Sequence, residues 1–316
     1  MVQACDYCAV YNALASTQGV QGSLNTGIAH KFTHYESNVK EISLQDLPSQ
    51  KLESNIAQFF FDYNLTDRFL LQTNIPLIYR SYRRIVAEEV ERGSVSGLGD
   101  IALLAKYDLF RENSAESSIL LEVLGGVKFP TGSTDRLEGG QVAQLEGDPD
   151  LHKLSFYRHG SEEEPLVAND DLALGSGSVD FILGTSLFVR YARAYVSGVV
   201  QYAIRQEGDF GFRYGNSFDS DFGPGYYLVL NDRNSLALRM RVSVETKEID
   251  KVYGLTQANS DFTRVFLGPE LNYTFRNNWQ VGFANDFALA AEKASASVVP
   301  RYRVLAVVSH RFDLII

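Results

Sequence analysis

Long apolar runs are missing from this sequence. Nowhere do about eighteen apolar residues follow one another, which excludes a bundle of membrane-spanning helices but not a barrel, where only every second residue meets lipid. An excess of positive charge is missing too: 29 Lys and Arg stand against 39 Asp and Glu, a formal net charge of -10, the wrong sign for a nucleic-acid surface. Methionine, cysteine and tryptophan are scarce at 2, 2 and 1, whereas 20 Phe, 17 Tyr and 25 Gly make a mix suited to many strands joined by turns. The start lacks the basic and apolar regions of an export signal, since Met1 is followed by Val2, Gln3, Ala4 and Cys5. An exported protein with this sequence is expected to have had its signal cut away.

What is present is period-two alternation from about residue 20 onward, the mark of strands with two unlike faces. Phe59, Phe61 and Tyr63 oppose Gln58 and Asp62. Leu236, Leu238, Met240, Val242 and Val244 oppose Arg239, Arg241, Ser243, Glu245 and Lys247. Tyr302, Val304, Val308 and Phe312 oppose Arg303, Ser309, Arg311 and Asp313. Twelve such stretches of roughly ten to fifteen residues are long enough to cross a bilayer when tilted.

The connections alternate between short and long. Short ones fall at 64–68, 111–117, 190–193, 231–235 and 276–278, and long ones at 36–53, 82–97, 132–177, 206–220, 248–260 and 291–298. A soluble sandwich has no reason to sort its loops, whereas an outer-membrane barrel places short turns in the periplasm and long loops outside. Aromatic residues near strand ends, among them Phe69, Tyr79, Tyr107, Tyr226, Tyr273, Trp279 and Phe312, fit girdles at two membrane interfaces. The expected fold is therefore all-β: a transmembrane antiparallel up-and-down barrel of about twelve strands over residues 20–316, preceded by a periplasmic segment over 1–19, in the bacterial outer membrane.

Several motifs point further. Ser96, Gly97, Leu98, Gly99 and Asp100 lead into the alternating stretch 101–109, and Val127, Lys128, Phe129, Pro130, Thr131 and Gly132 close another. Leu174, Gly175, Ser176, Gly177, Ser178, Val179 and Asp180 open the next, and Leu65, Thr66, Asp67 and Arg68 with Ile75, Pro76 and Leu77 come early. In these stretches the chain resembles the outer-membrane transporter family named after the meta-pathway of phenol degradation, over most of its length after residue 20. The resemblance implies a barrel that passes small aromatic or apolar molecules. It supplies no catalytic residues.

The polar faces become a lumen lining that carries both signs. Arg239, Arg241, Arg303 and Arg311 form the candidate constriction, with Glu245 and Glu270 among the facing acids. Such a lining is either a filled polar plug of paired side chains or an open selective pore. The loop over 132–177 is the longest and most acidic, and three roles fit it: a solvated surface loop, a cation-binding loop, or a gate folded inward.

Cys5 and Cys8 form a CxxC whose chemistry stays open among a local disulfide, half of a shared metal site and a redox pair; Ala9 after Cys8 excludes the CxxCH of covalent haem. His30 and His34, four apart on one strand face, read as interfacial residues. Ser309 and His310 point to opposite faces, so no nucleophile and base meet and no enzyme activity is expected. No cofactor is called for. The partners expected are membrane lipid and a small-molecule solute, with passive passage the leading function. Docking of a periplasmic protein through residues 1–19 is the structural alternative, and a lipid-active barrel enzyme is a third.

Overall fold

The computed structural model describes residues 21–37, 49–86, 89–137, 166–257, 260–276, 278–292 and 298–314. Cys5, Cys8, His152 and His159 lie outside them. The wall is built from β1 (Ser23–Ser37), β2 (Lys51–Asn64), β3 (Phe69–Val86), β4 (Glu89–Leu98), β5 (Ala102–Asn113), β6 (Ser117–Lys128), β7 (Asp180–Tyr191), β8 (Ala194–Ile204), β10 (Ser217–Leu230), β11 (Asn234–Lys247), β14 (Phe262–Phe275), β15 (Trp279–Glu292) and β16 (Val298–Asp313). Apart from β4 and β5, successive wall strands pair antiparallel, and β1 pairs with both β2 and β16, which closes the sheet. β3 pairs with β4 along its outer half and with β5 along its inner half, so β4 and β5 are two halves of one wall strand broken at 99–101. The barrel thus has twelve wall strands, as the alternation requires. Every wall strand except β4, which pairs with β3 alone, has a partner on both sides, the condition for a sheet to stand in hydrocarbon.

Side-chain exposure follows the sequence period. On β2, Phe59 and Phe61 are outward and exposed while Gln58, Phe60 and Asp62 are buried; on β11, Leu238 and Met240 are outward while Arg239 and Arg241 are buried. The outer wall carries Leu183, Val196, Phe222, Tyr226, Phe283, Phe287 and Leu289, all substantially exposed, an apolar surface that only lipid can cover.

Tight turns join β2 to β3, β5 to β6, β7 to β8, β10 to β11 and β14 to β15 at one end. Ser23 pairs with Asp313 at that same end, so both ends of the barrel domain lie on the periplasmic side. The opposite end carries the long connections. There β9 (Phe212–Arg213), β12 (Lys251–Val252) and β13 (Leu255–Thr256) form a separate small sheet. The expected long loop over 82–97 is instead a hairpin, with β3 running to Val86 and β4 starting at Glu89. Its charge-rich alternation resembles a solvated loop because this part of the ribbon rises above the acyl zone, where an outward face need not be apolar. Its inward Arg84 donates to Glu91 at 2.8 Å.

Candidate functional site

The lumen is where inward residues of all strands converge, and its lining is not uniform. On one side, β10, β11, β14, β15 and β16 present a ladder of ionised groups. Arg239 lies opposite Glu270 in register and 3.0 Å from its carboxylate. Arg241 lies opposite Gly268 and next to Gly223; a Cβ at either glycine would stand within 2 Å of a backbone carbonyl oxygen, that of Asn285 or Met240. The smallness of both leaves the guanidinium free to lean sideways, and Arg241 reaches Asp221 and, at 3.5 Å, Asp286. Arg303 donates to Asp286 at 2.7 Å, and also to Glu245 and to the Ser243 hydroxyl. Asp221 accepts from Arg239 and Arg241 together. Three guanidinium groups therefore interleave with four carboxylates, with Arg303 stacked 4.0 Å over the Phe266 ring. Arg241 and Arg303 are among the largest fully buried side chains. Cut off from water, each must be matched by fixed opposite charge.

Of the six lumen residues singled out from the sequence, Arg239, Arg241, Arg303, Glu245 and Glu270 meet in this ladder. Arg311 does not: it pairs with Asp313 at 3.2 Å, near the periplasmic end of β16. Asp221 and Asp286, which complete the ladder, were visible in the sequence only as two more inward acids.

Another stretch of the lining, on β5–β8, carries an apolar cluster among polar inward residues such as Asp108, Lys128, Asp180 and Gln201. Ala102, Leu104, Leu124, Ile182 and Ala203 pack into one cluster across β5, β6, β7 and β8. Toward the periplasm, Tyr195 joins Phe188 and Tyr227 at ring-centroid distances of 5.5 and 5.1 Å. Sequence reasoning placed apolar residues outside and charges within, and missed this stripe. The signal was present as doublets such as Leu103 with Leu104, Val123 with Leu124 and Val199 with Val200, where two adjacent apolar residues must face opposite ways. A narrow barrel fills its interior with side chains, and the filling need not be polar.

The outer half of the lumen is occupied by the β6–β7 connection. Of the three roles considered for that loop, the described residues 166–178 fold inward, with Val167, Asp171, Leu172 and Ala173 wholly buried. Val167 and Leu172 pack on Tyr35, Leu52, Tyr82 and Val298, and Leu174 packs on Ile56 and Ile78. Arg80 donates to the carbonyls of Asp171 and Ala173 at 2.8 and 2.7 Å, and Arg84 donates to the carbonyl of Val167 at 3.2 Å and to the Asn169 side chain at 2.9 Å. At the plug's exit, Lys128 Nζ lies 2.6 Å from both Asp100 and Asp180, Arg205 lies 2.9 Å from Asp180, and Ser176 donates to Asp100 at 2.9 Å. All of these except Arg205 come from three of the glycine-rich motifs noted in the sequence. The motifs are short because they build one buried anchoring cluster.

Above the wall, Lys247 pairs with Asp250 at 2.6 Å, and the Tyr214 hydroxyl donates to the carbonyl of Asp170 at 3.2 Å. Burial pushes the Asp250 carboxyl up against the opposing pull of Lys247, and burial beside Asp170 and Asp250 pushes the Tyr214 hydroxyl well up. His34 faces outward, 3.6 Å from Glu53 and stacked on Tyr302, as an interfacial residue would be. Among the described residues no cluster of His, Cys, Asp and Glu is arranged to hold a metal ion.

No family model matches the sequence, and no curated protein matches it. Among solved structures, an outer membrane channel from Pseudomonas putida superposes with a TM-score of 0.64 at 17% identity, covering 94% of this chain and 98% of that one. The chain has the fold of an outer-membrane β-barrel. The β domain of a Bordetella autotransporter gives a TM-score of 0.47 at 10% identity, with 92% of this chain and 100% of that one covered. The translocator domain of an autotransporter from Neisseria meningitidis gives 0.43 at 11%, with 96% and 92% covered.

Proposed function

We propose that this barrel is a channel for passive passage of small molecules with an aromatic or apolar body, as the resemblance to the phenol meta-pathway transporters implies. The observation that carries the reading is the apolar and aromatic stretch of the lumen lining next to paired charge. An apolar cluster on β5–β8 and the rings of Phe188, Tyr195 and Tyr227 adjoin a ladder of paired charges, a track on which a small molecule keeps one side dry and presents a polar group to the charges. In this proposal Arg239, Arg241 and Arg303 with Glu245 and Glu270 form the constriction, and residues 166–178 are the plug that must leave for a solute to pass. With that plug in place, low resting conductance is expected.

The test is uptake of small aromatic solutes into liposomes carrying the purified barrel, together with single-channel current in planar bilayers. Uptake of aromatic solutes faster than of sugars of equal size supports the reading. A barrel that passes neither, with the plug intact or deleted, overturns it.

A further inference from the structure

Outward residues at the top of the wall form a row of like charge. On β2, β3 and β4, Lys51 lies directly opposite Arg83, and Arg83 lies directly opposite Arg92. Side chains so placed sit within about 5 Å of one another at their Cβ atoms, and like charges in this position oppose sheet formation. Three cations abreast are a cost with no structural return. Among the described residues the acids remove it only in part: Glu53 pairs with Lys51 at 3.1 Å, Glu36 is opposite Lys51 but lies 3.6 Å from Arg301, and Glu91 faces inward to Arg84, so Arg83 and Arg92 keep their charge. Arg83 donates to the Ser49 carbonyl and hydroxyl at 2.8 and 2.9 Å, which fixes its guanidinium without neutralising it. Arg92 is exposed.

The position of the row says what meets it. Below it come Glu53, Ser81 and Ser94, then Asn55, Tyr79 and Ser96, then Ala57, Leu77 and Leu98, so the outward face passes from charged to polar to apolar toward the membrane centre. Along β2 from Tyr63 near the periplasmic end to Lys51, a strand tilted as barrel strands are rises about 30 Å, one membrane thickness. The row therefore stands at the level of the outer leaflet's headgroups on the lipid-facing wall, on a protein whose overall formal net charge is -10.

We propose that Lys51, Arg83 and Arg92 bind the phosphate groups of a phosphorylated glycolipid of the outer leaflet, whose acyl chains lie on the apolar wall beneath. Phosphate oxygens accept from several cations at once, which turns the mutual repulsion of the row into a binding site. The site is independent of the lumen and of what passes through it.

The test uses the full chain in detergent micelles with a fluorescent diphosphoryl lipid A as probe. Native folding of each variant is checked by the heat-dependent gel shift of a closed barrel. At about a fivefold loss per basic residue, Lys51→Gln, Arg83→Gln and Arg92→Gln combined weaken binding about a hundredfold. Arg92→Gln alone, an exposed change that touches no packing, weakens it about fivefold. Arg233→Gln, in the periplasmic turn between β10 and β11, leaves it unchanged. The proposal fails if the triple variant, or Arg92→Gln where the triple does not fold, binds within twofold of the wild type. It fails equally if the wild type binds dephosphorylated lipid A as well as the phosphorylated form, or if millimolar inorganic phosphate displaces the lipid completely.

Discussion

At the scale of single residues, the molecule keeps full charges where water does not reach and offsets them in situ. Removing one arginine from the ladder strands its acids: Arg303→Ala leaves Asp286 and Glu245 facing each other's field, and a loss of about 3–5 kcal/mol is expected from urea unfolding in lipid vesicles. Arg311→Ala, whose partner Asp313 is largely exposed, should stay within about 1 kcal/mol in the same measurement. Gly268→Ala places a methyl 1.9 Å from the Asn285 carbonyl oxygen, so strand β14 or β15 must shift, at an expected cost of about 1–3 kcal/mol. The sequence shows these inward residues one strand at a time. Which arginine meets which acid depends on the register between strands, and alternation is silent about register; that is why Arg311 looks equivalent to Arg303 in the sequence and is not in the fold.

At the scale of elements, the strands are dictated by the outer wall and the connections by what they must reach. Lipid contact demands an apolar residue at every second position, so the wall strands could be read from sequence with boundaries a few residues off. Above the membrane that demand lapses. The β3–β4 hairpin and the inward plug were accordingly the hardest elements to foresee, and the acidity of the long loop gave no hint that Val167, Leu172 and Ala173 within it would be buried. The plug is held by guanidinium-to-carbonyl bonds and apolar packing rather than by sheet pairing, so it is separable from the wall. Arg80→Ala removes two of those bonds and should raise the frequency of current steps in planar bilayers. Cysteines introduced at Leu52 and Leu172, which pack in one cluster, should hold the barrel in its low-conductance state when oxidised and release it on reduction. Unchanged current in both experiments would mean that the plug does not control passage.

At the scale of the whole molecule, twelve wall strands close into a ring whose described lining combines paired charge, polar side chains and an apolar and aromatic stretch, with residues 166–178 folded in above. Fold class and membrane placement were readable because both follow from the wall. The state of the lumen was not, because a filled interior and an open one place the same residue types on the same face. A chain ending before Val298 lacks β16, the partner of both β1 and β15, and should fail to give the compact heat-modifiable band of a closed barrel.

The pairing of Ser23 with Asp313 bears on how such a molecule comes into being. A polypeptide delivered N-terminus first presents the naked margin of its opening strand to the aqueous compartment from the outset, and the segment that will cover it is synthesised last. No portion can be finished early. The ring shuts only once its two margins meet, so the wall is completed in one act.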